Sequence, residues 1–73
     1  MSHEDFVAYV GEGKAIAGHE VTIFQGFDAL HILRLDRHTE IPLVFDGNEG
    51  LEERLDRVAA AVERWAMRHN AAA

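Results

Sequence analysis

Two histidines, His31 and His38, bracket the segment "HILRLDRH", with Arg34, Asp36 and Arg37 between them. Imidazoles titrate near neutrality and bind metals, so a histidine pair beside a carboxylate is where proton transfer or metal binding would be sought first. Spacing decides against a joint site. In a strand, residues seven apart have opposite parity and face opposite sides of the sheet. In a helix they share a face but stand roughly 10 Å apart along the axis, whereas zinc-binding histidines on one helix sit a single turn apart. The expectation is framework. His31 shares parity with Leu33 and Leu35 and borders the core with one nitrogen satisfied, and His38 lies in a turn.

Other reactive patterns fail on specific positions. The one serine is Ser2, at a chain end, and cysteine is absent, so a positioned hydroxyl or thiol nucleophile is not supplied. "GEGK" (11–14) lacks the hydroxyl residue and the spacing of a phosphate loop, since Lys14 is followed by Ala15. "HE" at 3–4 and 19–20 meets Val7 and Ile23 where a zinc protease motif needs a second histidine. "DGNEGLEE" (46–53) places Asp46, Asn48 and Glu52 as a calcium loop would. It has Leu51 at the position of the sharp-turn glycine and Arg57 at that of the closing glutamate. His19 and Glu20 are neighbours, and neighbours along a strand point apart. No catalytic residue, metal ligand or cofactor site is assigned on these grounds.

The elements that must carry these residues are clearest at the C-terminal end. Leu51, Leu55, Val58, Val62, Trp65 and His69 recur at steps of four and three, the stripe of an amphipathic helix over about 48–69. Asp46 or Asn48 can cap it, Asp46 with Glu49 has capping-box spacing, and Glu53 with Arg57 is an i,i+4 pair. The trailing "AAA" is expected to fray. Upstream, "EVTIFQ" (20–25) and "IPLVF" (41–45) are rich in β-branched and aromatic residues and read as strands, with Pro42 hinting at an edge. "ALHILRL" (29–35) is short and flanked by turn-forming segments, so strand is favoured over helix. "FVAYV" (6–10) is likewise favoured as a strand, the alternative being a short helix started by Ser2. The fold expected for 1–73 is one small α+β domain. It has an antiparallel sheet of three or four strands within 6–45, followed by one long C-terminal helix packed on one face.

Composition limits the function classes. A chain of 73 residues without cysteine has a small core and no disulfide or thiolate–zinc reinforcement, which leaves association as a common route to stability. Net charge is −6, and residues 1–50 hold nine acids against Lys14, Arg34 and Arg37. Such a body repels phosphate backbones, so no nucleic-acid partner is expected. No apolar run approaches the roughly 20 residues of a membrane span, and the acidic opening is unlike a signal peptide. Cytoplasmic location is the expectation.

One feature of the strands is unusual. Val21 and Ile23 oppose Phe24, Leu33 and Leu35 oppose Leu30 and Ile32, and Ile41, Leu43 and Phe45 oppose Val44. A sheet with one wet face would alternate cleanly, and a single helix covers one face only. The reading that follows is a non-enzymatic protein-binding or regulatory module, dimeric through the uncovered face. Phe24, Leu30, Ile32 and Val44 are the candidate interface, and Trp65 is either a core residue or a further anchor. Two alternatives come from other classes. One is an acidic inhibitor or nucleic-acid mimic that binds a protein partner with a basic surface. The other is a small enzyme subunit using a histidine–carboxylate pair.

Overall fold

The computed structural model describes residues 1–13 and 15–72, with side chains described through Arg68. It is an α+β fold in the order α1 (His3–Gly11), β1 (Ala15–Ile16), β2 (His19–Glu20), β3 (Thr22–Gln25), β4 (Leu30–Arg34), β5 (Glu40–Val44) and α2 (Leu51–Ala72). Strands β3, β4 and β5 form an antiparallel meander, and β1 with β2 forms a separate small hairpin.

The segment 6–10 corrects the sequence reading, because it lies in α1 rather than in a strand. Ser2 is extended and its hydroxyl accepts the Asp5 N–H at 3.1 Å, which satisfies one of the donors that a helix start leaves open. Glu4 and Asp5 in the first turn complement the helix dipole. Phe6 and Val10, four residues apart, form its buried face. The strands therefore begin at Ala15.

The middle of the chain is extended, as the flanking turns suggest. Phe24 pairs across β4 Ile32 to β5 Pro42, Leu30 pairs with Val44, and Thr22 lines up with Arg34 and Glu40. Residues of the other parity form the inner face. His31 and Leu33 are fully buried there and Ile23 nearly so. Both helices contribute to the same core. Phe6 and Val10 of α1, with Val58, Ala61 and Val62 of α2, join Ile16, Val21, Ile23, Leu33 and Phe45 in one buried cluster.

The segment before α2 behaves differently from a simple cap. The helix starts at Leu51, after a turn over 46–49. Asp46 Oδ1 accepts the Asn48 N–H (3.0 Å), and the Asp46 N–H donates to Glu49 Oε2 (2.7 Å). One half of the pairing implied by the Asp46–Glu49 spacing thus forms, while the Glu49 N–H donates to the Asp46 backbone carbonyl instead of its carboxylate, and the contacts close a turn ahead of the helix. Arg57 turns back to Glu49 (2.9 Å) instead of pairing with Glu53. Along the stripe, Val58 and Val62 are buried while Leu51, Leu55 and Trp65 are half-buried. The His69 side chain, Lys14 and Ala73 lie outside the described residues, and α2 continues through Ala72. Among the described residues, no helix is long and apolar enough to cross a membrane.

One edge of the meander is chemically marked. The Phe45 N–H donates to the Ala29 carbonyl and the Thr39 carbonyl accepts from Leu35, so the odd-numbered backbone groups of β5 point towards β4. Backbone groups alternate along a strand, which turns those of Glu40, Pro42 and Val44 outward. Pro42 has no N–H, so the open edge lacks a donor at its centre.

Candidate functional site

The outer face of the meander gathers four of the five residues singled out from sequence. Phe24 is 44% exposed and Val44 60%, with Leu30 and Ile32 half-buried between them and Pro42 exposed in the same row. These side chains are contiguous because register places Phe24, Ile32 and Pro42 side by side and sets Leu30 against Val44. At one end, Arg34 pairs with Glu40 (3.2 Å) and its guanidinium lies over the Phe24 ring, 5.1 Å from the centroid. At the other end is the β3–β4 turn. Phe27 stands 83% exposed there, and Asp28 adopts a left-handed backbone (φ 55°).

Trp65 does not join this patch. It sits on α2, which packs against the inner side, and its ring meets His19 edge to face at 5.5 Å. Trp65 therefore stands apart from Phe24, Leu30, Ile32 and Val44. The helix register that made Trp65 part of the apolar stripe also turns it away from the outer face.

A second cluster went unrecognised in the sequence. Arg54 is fully buried. Its Nη2 donates to the carbonyls of Met1 (2.8 Å) and Asp46 (3.2 Å), Nε donates to the Glu49 carbonyl (3.1 Å), and Nη1 donates to His3 Nδ1 (3.1 Å). The guanidinium stands 5.4 and 5.2 Å from the ring centroids of Phe6 and Phe45. A cation removed from water must be compensated by such donors' partners. The signal was available, since Arg54 falls three residues after Leu51 and four before Val58, on the apolar stripe itself.

His31 lies beside this cluster. Its Nδ1 bonds the Ala29 carbonyl (2.9 Å), which makes Nδ1 the protonated nitrogen and leaves Nε2 as an acceptor. Nε2 is buried and has no hydrogen-bond partner. The rings of His3, Phe45 and Phe6 surround it edge-on at 5.0, 4.9 and 6.3 Å. Burial pushes the His31 imidazole below its ordinary value; the bond to Ala29 opposes this, and His3 and Arg54 reinforce it. His31 is thus a core residue, as its parity with Leu33 indicated, and burial favours its neutral form. His38 lies in the bend after β4, where its N–H donates to Asp36 Oδ1 (2.7 Å). The two histidines are not brought together.

Nearby, desolvation alone would raise the Glu49 carboxyl. The Asp46 N–H, the Arg57 ion pair and the Arg54 charge outweigh it and hold the group below its usual range. Among the described residues, no three histidine, aspartate or glutamate side chains are grouped so as to hold a metal ion. These contacts suit a structural clamp, in which one guanidinium ties the start of α1 to the turn before α2. The outer face of the sheet carries exposed apolar side chains, Phe24 and Val44 among them. No family model, no curated protein and no solved structure matches the chain.

Proposed function

We propose that this chain is a non-enzymatic protein-binding module that pairs with a second copy through the outer face of β3–β4–β5. It would work in a reducing cytoplasm, which the absence of cysteine suits. One observation carries the reading: both helices pack on the inner face, while Phe24, Ile32, Pro42, Leu30 and Val44 form one apolar surface that no element among the described residues covers. Burying a large apolar side chain contributes roughly 1.5–3 kcal/mol, so that surface has a substantial drive towards contact.

Charge favours a second copy as the occupant. The chain carries −6 overall, but the outer face presents one Arg34 and one Glu40. A twofold axis through the face can set Arg34 of each copy near Glu40 of the other, in an isologous contact with little repulsion. Size limits the strength. Three strands of four or five residues cover about 14 by 16 Å at ordinary strand spacings, well short of the roughly 800 Å² per partner of a standard interface. The exposed Phe27 turn extends the patch. A concentration-dependent dimer is therefore expected, not an obligate one.

The test is mass by light scattering across a dilution series. The parent chain should approach twice its 8.2 kDa mass at high concentration and fall towards one chain on dilution. Val44→Lys and Phe24→Gln should each stay monomeric with unchanged circular dichroism. A parent that remains a single chain at every concentration would refute the pairing.

A further inference from the structure

A groove of about 460 Å³ runs between β5 and α2, on the opposite side of the β5 edge from the outer face. Ile41, Leu43, Ala61 and Trp65 form its apolar lining, and Arg64 and Arg68 stand along the helix wall. Both arginines are exposed and occupy consecutive turns of α2, where each repels the other. The other cations with described contacts are engaged: Arg34 with Glu40, Arg57 with Glu49, and Arg54 in its buried clamp. Glu40, at the rim, is held by Arg34, and Glu63 neighbours Arg64 in sequence. On an acidic chain, this groove concentrates positive charge, and among the described residues neither Arg64 nor Arg68 is in an ion pair.

Geometry narrows the ligand. Residues four apart on a helix are separated by about 6 Å along its axis, so Arg64 and Arg68 offer two guanidinium groups at that interval. In an extended peptide, side chains two residues apart lie on one side at about 6.6 Å spacing. A strand lying beside β5 sends alternate side chains towards the inner face, which is where α2 carries these arginines. The intervals match. The intervening side chain would point outward, alongside Pro42.

We propose that the groove between β5 and α2 docks an extended acidic peptide from another protein, with two carboxylates two residues apart facing Arg64 and Arg68. The chain itself contains no two acids at that spacing, so a second copy is not the occupant. A nucleic-acid strand would continue beyond the groove onto a body of net charge −6, whereas a peptide brings only the two charges it needs. The missing donor of Pro42 removes one backbone bond from any strand added here. Recognition therefore leans on side chains and is weak and salt-sensitive. The proposal rests on the protein-binding reading but not on dimerisation, since the arginines lie off the outer face.

Trp65 is the single tryptophan and lines the groove, so its fluorescence reports occupancy directly. The probe is a capped seven-residue peptide with glutamates flanking a central valine in a serine background. It should shift the emission saturably, and raised salt should weaken it. Arg64→Gln and Arg68→Gln should each weaken binding about three- to fivefold, as for exposed ion pairs, while leaving circular dichroism and solution mass unchanged. No shift, an equal shift with lysines in place of glutamates, or undiminished binding by the double variant would each overturn the proposal. Equal affinity for glutarate alone, or tighter binding of a short oligothymidylate, would overturn it in favour of a small dicarboxylate or a nucleic acid. Loss of dimerisation in the parent would leave the fluorescence result intact, so the two readings fail separately.

Discussion

Replacing Arg54 by Met tests the buried clamp most directly. The variant keeps a long unbranched stem between Phe6 and Phe45 but removes the guanidinium and its four hydrogen bonds. Hydrogen bonds to charged groups contribute roughly 1.5–3 kcal/mol singly, but those sharing one group do not add. The variant also recovers the cost of desolvating a cation. What remains is set by the carbonyls left behind. Asp46 keeps the Glu49 N–H at 3.1 Å and Glu49 keeps the terminal ammonium at 3.5 Å, whereas Met1 loses its 2.8 Å donor. One weakened carbonyl at about 1–2 kcal/mol and the lost cation–ring contacts at about 1 kcal/mol give a destabilisation of about 2–3 kcal/mol. A chain of 73 residues has a total stability of roughly 4–11 kcal/mol. Equilibrium urea unfolding, followed by helical circular dichroism at matched concentration, should show the midpoint lowered by about 2 M at the slope of a small domain. Arg54→Lys should fall between parent and Met, since an ammonium keeps the charge but not the planar fork. A Met variant unfolding with the parent's midpoint would refute the clamp.

Other perturbations probe different links. His31 titrates below its ordinary value of 6.5 because it is buried, so its neutral form contributes stability that is complete above that pH. That contribution is lost as pH falls through the folded-state value, because the unfolded chain then takes up the proton first. His31→Phe should flatten the fall in unfolding midpoint between about pH 7 and 5, and Ala29's carbonyl still accepts the Phe45 N–H; an unchanged pH profile would exclude His31 as its source. Ala17 sits at φ 51° beside Gly18 at φ 79° in the β1–β2 turn, a left-handed backbone that costs a non-glycine residue roughly 1 kcal/mol. Ala17→Asn should therefore raise thermal stability by roughly 0.5–1 kcal/mol, measured by calorimetry, and a destabilised variant would show that the turn is not strained.

What could be read from the chain divides along physical lines. Helix α2 was legible because its period persists over many turns. The extended middle was legible from β-branched content between turn residues, and with it the apolar outer face and the place of His31 at the core. Helix α1 was not. In five residues, Phe6 and Val10 share a face at a period of two and at a period of 3.6, so the pattern is silent and Ser2's cap decides. Arg54 was passed over because charged residues on a helix are ordinarily solvated, and three of its four hydrogen-bond partners are backbone carbonyls, which carry no sequence signal. The groove at Arg64 and Arg68 depends on how α2 crosses β5, which only tertiary packing supplies.

Pro42 also bears on how far such a chain can assemble. Growth of an open-ended filament by strand addition needs two competent rims on every subunit, so that each newcomer offers a fresh template. With the outward amide absent at the middle of β5, one rim cannot continue an unbroken ladder. The protein can thus display greasy strands to its surroundings while propagation stops after the first encounter.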